Sequence, residues 1–220
     1  MANDPGGREK LLALGVRNVP VVSRGENYVF GQNLEDVAEF VGLQGTGHTP
    51  LPPEQLIRKW IIALRATQRY LRQMPTERME ENVIPNRPRS IRLLSHHVFR
   101  IGEAFLESAQ NGVEYSIGHA NKPPADNTFT TGAEIAGYGE KVIGRLQQWW
   151  NGVQDKTLGF KVKTYYGMQP MHTVFERSTW HSAQHARQLA HVLERYGIEP
   201  DGRLTSEDLA GLPLPERLFE

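Results

Sequence analysis

The sequence predicts a mainly α protein in which an up-down four-helix bundle follows a small N-terminal α+β segment. Three observations predict this fold class. Hydrophobic residues recur at helical spacing in four long segments after residue 53, a stretch rich in glycine and proline precedes them, and the first 43 residues carry short mixed elements. Each amphipathic helix needs a partner for its apolar face, and a bundle supplies partners to all four.

We divide the chain into three parts: a first domain over 1–43, a linker over 44–53, and the bundle with a C-terminal tail over 54–220. Within the first domain the pattern predicts a helical fragment, a β-hairpin and a second helix capped by Asn33. The helical fragment covers 8–14, and the β-prone runs cover 19–22 and 28–30.

The four helices of the bundle have recognisable start and stop signals. Pro52 and Pro53 open the first, which runs to Met74, and Ser90 caps the second, at roughly 91–109. The third covers roughly 132–154, and the fourth runs from about 171 to 196 and is closed by Gly197. The tail after residue 198 carries a capping-box signal, TSED, and then proline-rich sequence.

Composition narrows the classes of partner and of chemistry. The 220-residue chain has 25 Lys+Arg and 25 Asp+Glu, so we expect neither nucleic acid nor a membrane as partner. No apolar run approaches the roughly 20 residues that cross a bilayer, and the first residues lack a signal-peptide pattern, so we expect a cytoplasmic protein. Cysteine is absent, which excludes disulfides, thiolate catalysis and Cys-ligated zinc in this chain. Any metal must be held by His, Asp or Glu, and any reactive thiol must come from another molecule.

Two histidines of the fourth helix fall on its apolar stripe. His181 and His185 are one turn apart, and two buried imidazoles are costly unless each ring nitrogen finds a partner. A shared metal ion satisfies both rings, and the H-x3-H spacing permits it. The alternative is a pair of core histidines that bond to neighbouring side chains.

A third ligand is available on the second helix. His97 lies on the flank of the apolar stripe, whereas His96 points nearly opposite and is expected at the surface. We therefore prefer His97 as a ligand, the alternative being a boundary histidine without a role. Glu103 is expected on the outer side of the second helix, so it is not proposed as a fourth ligand. Gln184 and Arg187 flank the histidine pair on the fourth helix, and Arg187 is expected at the surface, the alternative being that it recognises a carboxylate.

The segments LLSHHVFRIGEAFL and TWHSAQHARQLAHVL resemble the DinB-like superfamily of metal-binding four-helix bundles over residues 53–197. The resemblance implies that His97, His181 and His185 ligate one divalent ion, with zinc or nickel as the expected metals. Separately from the resemblance, exposed helix faces make a homodimer of the bundle possible. Some members transfer a low-molecular-weight thiol to an electrophile, while others have no known activity.

The first domain resembles the C-terminal half of a glutaredoxin, through Val19-Pro20, the hairpin and the last helix of GREKLLALGVRNVPVVSRGENYVFGQNLEDVAEFVGL. The redox cysteine and the elements that precede it in glutaredoxins are absent, so disulfide reductase activity is not inherited. The resemblance implies either a remnant that packs on another surface or a segment that still binds a thiol at Val19 and Pro20.

Two functions therefore stay open. The first is a metal-dependent transferase that joins a small-molecule thiol to an electrophile. The second is a non-catalytic metal-binding or interaction module. The sequence identifies no general acid or base, which would favour the module, whereas the thiol-domain remnant favours the transferase.

Overall fold

The structure, a computed structural model, describes residues 5–16, 20–44, 47–84 and 88–219. The chain divides into two compact units, Met1–Thr49 and Pro50–Glu220. In the described ranges there are eight α-helices and two small antiparallel sheets of two strands each. The prediction of a mainly α protein is therefore confirmed.

The first unit contains a hairpin between two helices. Its elements are α1 (Pro5–Ala13), β1 (Val21–Arg24), β2 (Asn27–Phe30) and α2 (Leu34–Val41). The side chain of Asn33 accepts the N–H of Glu35 and so caps α2, and Gly42 ends it in the left-handed conformation. The hairpin and the capped helix thus form where their turn and cap residues predict them.

The second unit is built on four long helices. They are α3 (Pro53–Gln73), α4 (Ile91–Asn111), α6 (Gly132–Gly152) and α7 (Met171–Arg195). Two one-turn helices, α5 (Ile117–Ala120) and α8 (Ser206–Leu209), lie between and after them. Ser90 caps α4, and the Thr131–Glu134 and Thr205–Asp208 capping boxes open α6 and α8. The predicted limits of the long helices agree with these bounds to within about two residues.

Each of α3 and α4 packs against both α6 and α7, and the four helices share one hydrophobic core. Aromatic rings fill its centre: Trp60 of α3 contacts Phe105 of α4 and Phe175 of α7 edge-on or tilted. The indole N–H of Trp60 donates to Ser182 Oγ at 2.9 Å, which satisfies the polar end of this buried ring. Helices α4 and α7, which carry the candidate ligands, are thereby held side by side. None of the described helices is both long and apolar enough to cross a bilayer.

The sequence did not reveal the second hairpin. Strands β3 (Lys161–Thr164) and β4 (Gly167–Pro170) pair antiparallel immediately before α7. Val162 and Thr164 alternate with exposed lysines, but four residues are too few for a period-2 pattern to stand out. Gly167 has φ +109°, a conformation that glycine adopts without strain, and it closes the turn.

Candidate metal centre

The three predicted histidines come together in the second unit. Their potential ligand nitrogens lie within 4.8 Å of one another. The ring centroids of His97 and His185 are 5.2 Å apart, those of His97 and His181 5.4 Å, and those of His181 and His185 4.7 Å. One turn of α7 sets the spacing of the last pair, and the packing of α4 on α7 brings His97 to them.

The outer nitrogen of His97 is already occupied. Its Nδ1 lies 3.0 Å from the carbonyl oxygen of Ala120, at the end of α5. A carbonyl only accepts, so Nδ1 carries the proton and Nε2 keeps its lone pair. This hydrogen bond therefore selects the tautomer in which Nε2 can bind a cation.

His185 is oriented in the same way by a side chain. Its Nδ1 lies 2.7 Å from Oε1 of Gln188, and Nε2 of Gln188 donates to the Leu218 carbonyl at 2.8 Å. The Leu218 carbonyl requires the amide nitrogen to face it, so the amide oxygen faces His185 and accepts its proton. Outer partners of this kind orient metal-ligating imidazoles in proteins.

The remaining nitrogen of His185 has no partner. Its Nε2 is buried and makes no hydrogen bond with any described residue. A buried polar atom left unsatisfied costs about 1–3 kcal/mol, and such atoms are rare in folded proteins. A cation shared by the three rings would satisfy it, so the donor set fits a divalent metal ion.

The three rings are held neutral. Burial, with the positive charges of neighbouring groups, lowers the pKa of His97 and of His181 well below the usual value. Burial and the charge of Arg89 lower the pKa of His185 to about 3. Neutral imidazoles coordinate metal ions without first losing a proton, so the cluster is competent near neutral pH.

The prediction that His96 lies at the surface is wrong. Only 6% of this residue is exposed, and its ring stacks on Tyr138, with centroids 5.2 Å apart and planes 11° from parallel. The side of α4 that the helical wheel assigned to solvent is covered by α6 and by the loop that contains Phe129. The structure nevertheless places His97, and not His96, in the cluster.

A charged network holds α5, and with it the Ala120 carbonyl. The buried guanidinium of Arg100 donates to the His119 carbonyl at 3.1 Å and to both carboxylate oxygens of Glu107, at 3.0 and 2.8 Å. The ring of His119 also bonds Glu107. Glu103, expected on an outer position, instead joins Arg100 to Tyr138 and Arg145.

Gln184, which flanks the histidine pair on α7, is buried. Its amide donates to the Leu218 carbonyl at 2.8 Å, so the C-terminal tail covers this side of α7. The sequence did not identify Ala120 and Gln188 as the hydrogen-bond partners of Nδ1 in His97 and His185. The i, i+3 spacing of His185 and Gln188 could have suggested Gln188, whereas a backbone carbonyl from a distant helix leaves no signal in the sequence.

The two residues expected to bind a thiol lie in the first unit. Val19 lies outside the described residues. Pro20 is exposed, and its carbonyl accepts the N–H of Gly31 at 2.9 Å, so it is tied to the end of the hairpin. Their thiol-binding role stays a prediction.

Comparison with known proteins assigns no family to this chain: no family model matches it, and no curated protein is significantly similar in sequence.

Proposed function

We propose that this protein binds one divalent metal ion through His97, His181 and His185, within a four-helix bundle of the DinB type. The observation that carries the proposal is the buried Nε2 of His185, which makes no hydrogen bond with any described residue. The ligand nitrogens of the three rings lie within 4.8 Å of one another, and the bond to Ala120 leaves the Nε2 lone pair of His97 available. Zinc and nickel are the expected metals, because imidazole nitrogen suits both.

Three protein ligands leave a coordination position for another molecule. A metal ion held here would lower the pKa of a bound thiol, and the chain itself has no cysteine to occupy that position. We therefore propose a metal-dependent transferase that joins a low-molecular-weight thiol to an electrophile. The contribution of the protein is to hold the three imidazoles neutral through burial and to orient two of them, His97 through Ala120 and His185 through Gln188.

Elemental analysis of purified protein tests the metal site. We expect one equivalent of zinc or nickel in the wild type. Most of this metal should be lost in each of the variants His97→Ala, His181→Ala and His185→Ala. His191→Ala is the matched control, because His191 lies on the same helix with its side chain 42% exposed. Full metal retention in the three ligand variants would contradict the proposal.

Thiol consumption tests the activity separately. The metal-loaded protein is incubated with a panel of small thiols and an electrophile such as monobromobimane, beside His181→Ala. Turnover above that of the variant supports the transferase. Metal binding without turnover supports the alternative, a non-catalytic metal-binding or interaction module. One observation favours this alternative: among the described residues, no carboxylate joins the histidine cluster.

A further inference from the structure

A small cavity opens beside His97, one of the three candidate ligands. It has a volume of about 180 Å³ and lies between the N-terminal part of α4 and the loop that follows α5. Leu93, His96 and His97 line it from the helix, and Pro123 lines it from the loop. Because the cavity and the candidate metal centre share His97, a molecule bound in the cavity lies next to that centre.

The ring of His96 is a polar group of this lining whose nitrogens the folded chain leaves unused. Only 6% of the residue is exposed. The faces of the ring are covered, since it stacks on Tyr138 and lies tilted against Phe129, with centroids 5.2 and 5.5 Å away. Its nitrogens, in contrast, make no hydrogen bond with any described residue. Buried polar atoms nearly always have a partner, so the edge of this ring is available to a ligand in the cavity.

The charges of the lining favour an uncharged ligand. Burial lowers the pKa of His96 to about 4, so the ring is neutral near pH 7 and offers one N–H and one lone pair. Arg89 and Lys122 also line the cavity, and their positive charges disfavour a cation. They do not form an anion site, because Arg89 already has an interaction and the charge of the exposed Lys122 is screened by solvent.

Size and shape restrict the ligand further. The cavity is smaller than the roughly 300–1,000 Å³ of pockets that take drug-sized molecules. Leu93 and Pro123 supply apolar wall, and stacking on Tyr138 fixes the orientation of His96. An uncharged molecule with a few carbon atoms and one hydrogen-bonding group therefore matches these walls better than a large or highly polar one.

We propose that this cavity binds a small uncharged carbonyl compound, whose oxygen accepts a hydrogen bond from the ring N–H of His96 beside the metal centre. A carbonyl group combines an acceptor oxygen with an electrophilic carbon, and a neutral imidazole that donates to the oxygen polarises the group. The inference deepens the proposed function, on which it rests, because it names the class of electrophile that receives the thiol.

The reaction of such a compound needs no further reactant. The sulfur of the thiol forms a bond to the carbonyl carbon, the electron pair of the C=O π bond moves to the oxygen, and the proton of the thiol ends on that oxygen. The N–H of His96 stays on the ring throughout and stabilises the negative charge that develops on the oxygen. The product is a hemithioacetal or a hemithioketal.

The test follows the imidazole nitrogen signals of His96 and the backbone amide signal of Leu93 in the isotope-labelled full chain during titration with butanone. Butyrate, which has the same number of carbon atoms and a negative charge, is the control ligand. We expect saturable binding of butanone and little response to butyrate. Loss of one hydrogen bond in His96→Phe, which keeps an aromatic ring on Tyr138, should weaken butanone binding by about three- to tenfold. The matched control His191→Phe, at a side chain that is 42% exposed, should have no effect.

Leu93→Trp provides a second variant that does not depend on whether His96→Phe folds. Leu93 is only partly buried, so the larger ring extends into the cavity without entering the core of the bundle. It should abolish butanone binding, whereas Ile62→Trp, at a residue of α3 that is 40% exposed, should not. The inference is overturned if butyrate binds as tightly as butanone, or if either His96→Phe or Leu93→Trp keeps wild-type affinity for butanone.

Zinc content and thiol transfer to monobromobimane are measured on the same samples, so that the inference and the proposed function can fail separately. Full zinc content and thiol turnover without butanone binding refute the inference alone. Butanone binding that depends on His96, in a protein that retains no zinc, supports the cavity site and refutes the metal site.

Discussion

Gln188 accepts the Nδ1 proton of His185 at 2.7 Å and donates its own amide to the carbonyl of Leu218 at 2.8 Å. One side chain thereby connects a candidate metal ligand to the backbone of the C-terminal tail. Because the Leu218 carbonyl fixes the amide of Gln188, the imidazole cannot turn its Nε2 away from His97 and His181 without losing its hydrogen bond to Oε1 of Gln188.

Replacement of this glutamine should therefore weaken metal binding without removing a ligand. We expect Gln188→Leu to lower zinc affinity by about 10–100-fold, the range typical of lost outer partners. Gln147→Leu, on an exposed position of α6, is the matched control. Competition with a chromophoric chelator measures both variants, and equal affinities in Gln188→Leu and wild type would show that the tail does not orient His185.

Replacement of the ligand His185 should abolish metal binding without lowering the stability of the metal-free protein. The metal-free protein carries the cost of the unsatisfied Nε2 of His185, and leucine has no such atom. We expect metal-free His185→Leu to be at least as stable as metal-free wild type in urea. With zinc at a thousand times its Kd, only the wild type should gain about 4 kcal/mol. Loss of more than about 2 kcal/mol in the metal-free variant would mean that the ring serves the core instead.

As the pH is lowered, the metal-free protein should begin to lose stability at a higher pH than titration of its carboxylates alone would cause. Burial, with the charge of Arg100, lowers the pKa of His96 from 6.5 to about 4, and the pKa values of the three clustered histidines are lowered as well. Below pH 6.5 these histidines bind protons in the unfolded chain but not in the native protein. The free energy of unfolding therefore falls as pH falls below 6.5, and these histidines do not change it above that pH.

Each such histidine contributes a slope of up to about 1.4 kcal/mol per pH unit in this window. Urea unfolding between pH 6.5 and about pH 5 measures the slope, and His96→Phe should reduce it while keeping the ring stack on Tyr138. A wild-type slope in His96→Phe would contradict the neutral state of this ring.

The network around α5 should contribute to stability. Burial acts to raise the pKa of Glu107, but the hydrogen bonds and charge of Arg100 outweigh it and lower that pKa. Glu107→Gln leaves the Arg100 guanidinium, 7% exposed, with one carboxylate partner fewer. We expect a loss of about 2–4 kcal/mol in the free energy of unfolding. Glu140→Gln, whose carboxylate pairs with Arg65 at the surface, should cost less than about 1 kcal/mol.

The start of α6 leaves no room for a side chain. A Cβ on Gly132 would lie 2.0 Å from the carbonyl oxygen of Leu71, whereas a Cβ on Gly137 would meet nothing within 4 Å. We expect Gly132→Ala to destabilise by about 1–3 kcal/mol or more, because backbone must shift to accept it. Gly137→Ala should stabilise by about 0.5–1 kcal/mol through helix propensity. Thermal unfolding of both variants checks the opposite signs.

The sequence by itself determined the elements and the identity of the candidate ligands. Pro52, Pro53, Ser90 and Gly197 mark helix ends through local backbone chemistry, and the limits of α3, α4, α6 and α7 were predicted to within about two residues. The spacing of His181 and His185 on one turn is likewise a local property of a helix, and so is the exclusion of thiol ligands from a chain without cysteine.

Only the tertiary structure decided what surrounds those residues. His96 and Gln184 are buried because α6, the Phe129 loop and the C-terminal tail cover them, and a helical wheel contains no information on such partners. The Ala120 carbonyl reaches His97 from α5, and the Leu218 carbonyl of the tail fixes the amide of Gln188. Burial, hydrogen-bond partners and local charge are properties of the packed chain, so the state of the three histidines was decided by packing and their identity by sequence.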